Sequence, residues 1–219
     1  MIFCLRFCVV IWITTVAAYA AIQHNTRDSV IIIDPPLLGF YAKYLDSDGI
    51  PIRSAKVVDD KALLVASAKI RDMLAHMPVT RKNLIKAGAE LHIIGKDQQT
   101  SDLPEFAHAK GLKYVDNGIT TDIDARTRGM GGLEASCGEE NLLQLPGDRY
   151  FGGWDICVHE FSHTIMNFGL DSVLRQKIGS QYKKAVDKGL WKDAYAGSNP
   201  QEYWGELSSW YFGAKPQSL

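Results

Sequence analysis

The sequence predicts an α+β domain in which a small N-terminal sheet with helices precedes a mainly helical C-terminal part. Three observations carry that expectation. Val30-Ile31-Ile32-Ile33 is a β-branched run of the kind strands favour. Apolar residues recur at three- and four-residue steps between Leu63 and Met77, and Val158, Phe161, Ile165 and Phe168 form a second stripe at helical spacing. At 219 residues the chain can bury one substantial core. Its 46% hydrophobic and 22% charged content is ordinary for a globular protein. A formal net charge of −1 gives no electrostatic footprint for nucleic acid or an anionic membrane surface.

Taken in order, the first strand is stopped by Pro35-Pro36, and residues 39–45 alternate aromatic and polar side chains up to the turn Asp46-Ser47-Asp48-Gly49. Residues 50–58 return as a second strand, where Pro51 fits only an edge or a strand start. Asp59 or Asp60 caps a helix that runs to about Met77 and is closed by Pro78. Thr80 caps a short helix ending at Gly88, and Glu90–Ile94 reads as a strand. Residues 101–129 are polar and loop-rich, with Asn117-Gly118 as a hairpin turn, and Gly129-Met130-Gly131-Gly132 reads as a flexible bend. Residues 139–145 read as a strand, followed by a loop rich in glycine and aromatics. Asp155 is an N-cap for a helix ending at a C-cap near Gly169. Two helices follow over 172–178 and 180–188. Asn199-Pro200 then starts a last helix running to about Phe212. No repeat or linker interrupts the chain, so residues 21–219 read as one domain with an N-terminal part, 21–128, and a second part, 129–219.

The first residues carry an address. Arg6 precedes a short apolar run, and Ala18-Tyr19-Ala20 supplies the small-x-small pattern of a cleavage site. The sequence therefore predicts a signal peptide over residues 1–20, a new terminus at Ala21 and a secreted protein. The run falls short of the ~20 residues that span a bilayer, which disfavours an uncleaved anchor. Cys4 and Cys8 leave with the signal. Cys137 and Cys157 remain, and in an oxidising compartment they suggest one disulfide, which would stabilise the fold by ~3 kcal/mol in the chain-entropy model. Two separate buried thiols are the alternative, since sequence does not show whether their Cβ atoms meet.

The chemistry concentrates in His159-Glu160-Phe161-Ser162-His163. Residues four apart share one helix face, so His159 and His163 can offer two imidazole nitrogens to one metal ion, with Glu160 beside them to take a proton from water. A catalytic zinc takes three protein ligands and keeps one open position. No histidine follows His163, and Met166 and Gly169 stand where a three-histidine extension needs glycine and histidine, which excludes that branch. The downstream carboxylates are Asp171, Asp187, Asp193, Glu202 and Glu206. Only Glu202 and Glu206 lie four apart on one predicted helix, so one can bind metal while the other hydrogen-bonds a ligand histidine. Against this stands a local use for Glu202, because Asn199-x-x-Glu202 also fits a capping box. Glu139 and Glu140 are candidates for lining a substrate groove, although a solvated strand start is the plainer reading.

A second motif, Tyr195-Ala196-Gly197-Ser198-Asn199-Pro200-Gln201-Glu202-Tyr203-Trp204-Gly205-Glu206, joins the first. Together they resemble the catalytic domain of anthrax toxin lethal factor and related secreted gluzincin-like peptidases, over about the last third of the chain. Ser162 and Gly205 fall where those proteins lead one to expect glycine or alanine. The resemblance implies a zincin-like fold, with one zinc per chain on His159, His163 and Glu202. It further implies Glu160 as general base, Tyr195 as the hydrogen-bond donor to the developing oxyanion, and Glu206 behind the ligands. The expectation is a secreted, monomeric zinc endopeptidase acting on peptides or proteins, with no nucleic-acid partner and no membrane attachment once the signal is removed. The alternative is a catalytically silent secreted binding protein of the same fold.

Overall fold

Two-residue alternation along the strands sorts side chains onto the two faces of one sheet. The computed structural model describes residues 29–116 and 118–213. The signal segment expected over residues 1–20 and Asn117 of the expected turn lie outside these described residues. The chain begins with β1 (Ile31–Leu37), β2 (Tyr41–Ser47) and β3 (Ile50–Ser54), each antiparallel to the last. Asp48 and Gly49 close the second hairpin with φ of 52° and 91°, the left-handed pair a two-residue hairpin demands. Pro51 stands at the start of β3, before the pairing with the next strand begins at Ile52. Asp59 caps α1 (Asp60–Leu74) by accepting from Lys61 N at 2.8 Å. α2 (Pro78–Ala87) ends at Gly88 with φ of 80°. β4 (Glu90–Ile94) then lies parallel to β3.

A small hairpin, β5 (Tyr114–Asp116) with β6 (Ile119–Thr121), and one turn of helix, α3 (Ile123–Arg126), lead to β7 (Gly129–Met130) and β8 (Glu134–Gly138). β8 pairs parallel to β4 and β7 antiparallel to β8, giving the order β1-β2-β3-β4-β8-β7. The later α-helices are α4 (Glu139–Leu143), α5 (Ile156–Thr164), α6 (Ser172–Asp187) and α7 (Pro200–Ser208), and a π-helical turn extends α5 to Gly169 and α7 to Gly213. One sheet face, with Leu45, Ile52, Leu91, Ile93, Ala135 and Cys137, packs on α1 and α5 through Leu63, Ile70, Val158 and Phe161. Each such fully buried side chain contributes roughly 1.5–3 kcal/mol. This packing fixes α5 against the strand that leads to the cleft.

Several expectations change. Residues 139–145 are not a strand: the strand is β8, five residues earlier. Its Glu-Ala-Ser-Cys-Gly lacks the β-branched signal, and its small residues let α5 lie close. Neither Glu139 nor Glu140 lines the cleft at His159 and His163. Glu139 accepts from Asp59 N at 2.7 Å and Lys96 N at 2.9 Å, joining α1, the exit of β4 and α4. Glu140 pairs with buried Arg128 at 2.6 and 2.8 Å. The two helices expected over 172–178 and 180–188 are one, α6 (Ser172–Asp187), since Gly179 costs it only about 1 kcal/mol. The metal-site helix does run to Gly169, its last turn a π-helix over Ile165–Gly169, but Gly169 is a contact point and not a left-handed cap, because a Cβ there would lie 2.6 Å from Thr80 Cγ2. The expected Cys137–Cys157 disulfide is absent. Both are free thiols buried in the same core, an environment in which cysteine packs as a small apolar residue.

The opposite sheet face carries a polar cluster. His92 Nδ1 lies 2.6 Å from Glu105 Oε1 and its Nε2 3.2 Å from Glu90 Oε2, while Tyr41 Oη donates to Glu105 Oε2 at 2.6 Å. Burial alone would lower the His92 pKa, but the hydrogen bonds to Glu105 and Glu90 outweigh it and raise it above 6.5. For Glu90, burial is likewise outweighed, by His92 and Arg53, and its pKa falls to about 2. The histidine's contribution to stability is therefore complete below its unfolded pKa and lost as pH rises through the folded one, whereas the carboxylates' contribution is lost as pH falls below about 4.5. Urea unfolding of the parent and His92→Gln should differ most near pH 5–6, with the gap closing toward high pH. A gap that does not change with pH would contradict the charged assignment.

Candidate metal centre

The cleft is built on α5 and α7. Asp155 caps α5 by accepting from Val158 N at 3.0 Å and is itself paired with Lys69. Val158 and Phe161 face the core, which turns His159, Glu160 and His163 toward the cleft. Asn199 caps α7, accepting from Gln201 N at 2.9 Å and Glu202 N at 3.0 Å. The Glu202 side chain does not fold back as a capping box. It reaches across to the histidines.

His159 Nε2 lies 3.1 Å from His163 Nε2 and 3.1 Å from Glu202 Oε2, and the latter two atoms are 3.8 Å apart. Zinc bonds of about 2.0–2.1 Å at tetrahedral angles place donor atoms about 3.3 Å from one another, so the three positions fit that ion. On its other side, His159 Nδ1 lies 3.1 Å from Glu206 Oε1, while Glu206 Oε2 accepts from Trp154 Nε1 at 2.8 Å. An ionised carboxylate only accepts, so a proton on Nδ1 is held by Glu206, which would leave the Nε2 lone pair for a cation placed between the donors. Gln201, whose Nε2 donates to Asn167 Oδ1 at 2.9 Å, lines the same cavity as His163. The donor set thus asks for a cation. Burial would lower the pKa of His159, yet hydrogen bonds to Glu202 and Glu206 and the field of Glu160 raise it to about 10, the mark of a site rich in negative charge.

Glu160 presents a ligand-type oxygen within 4.8 Å of the histidine nitrogens. Burial first, then the charge of Glu202, raises its pKa to about 7, against the opposing fields of His159 and Arg126. Such a carboxyl sits where a general base works best near neutral pH. Tyr195 stands on the short turn Tyr195–Gly197, half exposed, with its ring stacked 6.3 Å from His159 at 21°. Burial first, and then the charge of Glu202, raises its phenol pKa above 10.0, against the opposing charge of Arg126. The structure therefore brings together all six predicted site residues, with Glu206 behind His159 and Tyr195 at the rim.

Two cavities meet here. One of about 660 Å³ is bounded by Tyr114, Ile123, Met130, Gly131 and Asn167, and another of about 310 Å³ by Tyr150, Trp154, Ile156 and Glu206. Arg126, Thr127, His159, Glu160 and Tyr195 belong to both. Sequence reasoning missed Gln201, Trp154, Asp116 and Arg126, which no spacing rule marks, and it misread Gly129–Gly132. That stretch is no flexible bend. A Cβ on Gly129 would lie 2.6 Å from Ile156 Cγ2 and one on Gly131 2.8 Å from His163 Cβ, so β7 and its exit press against α5. Gly205 does the same from α7, where a Cβ would lie 2.8–3.0 Å from the His159 ring.

Alanine favours a helix over glycine by roughly 1 kcal/mol. Gly205→Ala should therefore keep helix content while displacing His159, and should weaken zinc binding about tenfold or more in a chelator competition. Undiminished affinity would mean that the close approach does not set the ligand position.

No family model matches the sequence, and no curated protein matches it. Among solved structures the chain is similar to the Pro-Pro endopeptidase of Paenibacillus alvei, at 15% identity and a TM-score of 0.55, over 75% of this chain and 84% of that one. At this identity the likeness is one of architecture: the protein shares the α+β fold of that endopeptidase.

Proposed function

We propose that the protein is a zinc-dependent endopeptidase of the gluzincin type, with zinc held by His159, His163 and Glu202. The observation that carries this reading is the convergence of three electron-rich donors at 3.1, 3.1 and 3.8 Å, beside a buried carboxyl and below an open cavity. When bound, zinc would supply Lewis acidity, polarising a carbonyl and lowering the pKa of water. Glu160 accepts the proton of the attacking water and delivers it to the leaving amine as the C–N bond breaks. Tyr195 turns its phenol proton to the carbonyl oxygen as negative charge gathers there. Glu206 holds His159 in the tautomer that leaves Nε2 free, and Trp154 holds Glu206.

The resemblance to lethal-factor-like peptidases supports the same roles, and the fold neighbour's action on Pro-Pro peptides makes such peptides a first substrate class to try. A closed structural zinc site would need a fourth protein ligand. Glu206 lies on the far side of the His159 ring, and Asp155 is occupied at the N-terminus of α5. The intact Glu160 argues against a silent binding protein. The signal-like start supports secretion, and among the described residues no helix is long and apolar enough to cross a membrane.

The test is digestion of a peptide library, Pro-Pro sequences included, by zinc-loaded protein. We expect internal cleavage that a chelator stops and zinc restores. Glu160→Gln should keep its zinc and lose about 10²–10⁴-fold in kcat. A variant that cleaves as fast as the parent would refute the mechanism.

A further inference from the structure

A cavity of about 440 Å³ lies between α6 and α7 and has no part in the scheme above. α7 gives Glu202 and Glu206 to the metal centre, but Tyr203 and Leu207, four apart on another of its faces, wall this cavity. α6 contributes Leu174 and Ile178, and Met77 and Leu170 join the cavity to the main core. The walls are held before any ligand arrives. Trp204, another wall residue, donates from Nε1 to Ser162 O at 2.9 Å, and the Tyr203 ring meets the Tyr182 ring edge-on at 5.8 Å. An apolar, pre-formed recess of this size is of the kind that takes a small molecule.

One charged residue borders it. Lys177 stands in the wall, and no carboxylate does. Leu174, Lys177, Gln181, Lys184 and Lys188 follow one another at three- and four-residue steps, so they share one face of α6 and its C-cap. The first three line the cavity, and the two later lysines carry positive charge along the same face beyond it. Lys183, on a different face, is paired with Asp187 at 2.9 Å, whereas Lys177, Lys184 and Lys188 have no ion-pair partner among the described residues. Tyr211 and Phe212 complete the lining, their rings 4.7 Å apart and both exposed to solvent.

We propose that this cavity binds a free single-chain anionic amphiphile of the fatty-acid type, with its alkyl chain between α6 and α7 and its carboxylate at Lys177. The apolar walls gain by exchanging water for an alkyl chain. The lysine face supplies the complementary charge and disfavours a cationic head group. A membrane surface is met by protruding apolar side chains, whereas a recess is filled by a chain that enters it. The site stands apart from the peptidase reading, because none of its lining residues borders the metal cleft.

The test is calorimetric titration of the zinc-loaded protein with decanoate, dodecanoate and 1-decanol, beside co-sedimentation with phosphatidylglycerol vesicles. Dodecanoate should bind at one per chain and about tenfold or more tighter than decanoate, since each buried methylene is worth about fourfold. Leu174→Glu, at an exposed helix position, should weaken both acids and decanol more than tenfold with helix content unchanged. Lys177→Glu should weaken dodecanoate about fivefold and leave decanol within about twofold, and it decides the matter if the Leu174 variant does not fold. Failure of either acid to bind, an affinity that ignores chain length, or undiminished binding by Leu174→Glu would overturn the proposal. Vesicle binding without uptake of free dodecanoate would overturn it too, and would make this face a membrane contact.

Discussion

His159 Nε2, His163 Nε2 and Glu202 Oε2 bring lone pairs from two helices to within 3.1–3.8 Å of one another, a gathering that requires positive charge in its midst. Much of the second half of the molecule is shaped by that requirement. Glu206 keeps the proton of His159 on the far nitrogen, and Trp154 keeps Glu206 in place. Mutually repelling donors hold their positions only where packing leaves them no other, and α5 and α7 are held close by missing side chains. Gly205 lets the ring of His159 lie against α7, and Gly131 lets the exit of β7 press on His163.

The sheet serves this centre at one remove. β8 is an interior parallel strand of small residues, so α5 can lie flat upon it, and Cys137 and Cys157 are both buried there as free thiols. Glu139 and the Arg128–Glu140 pair lock the ends of β4, β8 and α4. A buried pair of that kind is costly to break, by about 3–5 kcal/mol for loss of one partner. Residues that looked like groove lining are in this way part of the frame, and the groove belongs to the loop-rich segment 109–131 and to Tyr195.

What could be read from the sequence followed from periodicity and spacing. The i, i+4 histidines, the α1 stripe, the Asn199-Pro200 start and the Glu202/Glu206 pair each depend on one helix's own geometry, and each stands where expected. β8 was hidden because a strand made of alanine, serine, cysteine and glycine has no β-branched signature. The glycine stretch at 129–132 was misread because close approach and flexibility use the same residue. Arg126, Asp116 and Trp154 were invisible because their roles arise only when distant segments meet, and no local pattern encodes that meeting. The two cysteines show the converse: their number and compartment suggested a covalent bond, and the core holds them as free thiols.

The account stands or falls on what surrounds the ion. Zinc X-ray absorption of the loaded protein measures it directly. The expected spectrum has two imidazole nitrogens at about 2.0–2.1 Å, one carboxylate oxygen at about 2.0–2.2 Å, and one further oxygen ligand from solvent. Sulfur at about 2.3 Å, or four protein ligands with no solvent oxygen, would contradict it.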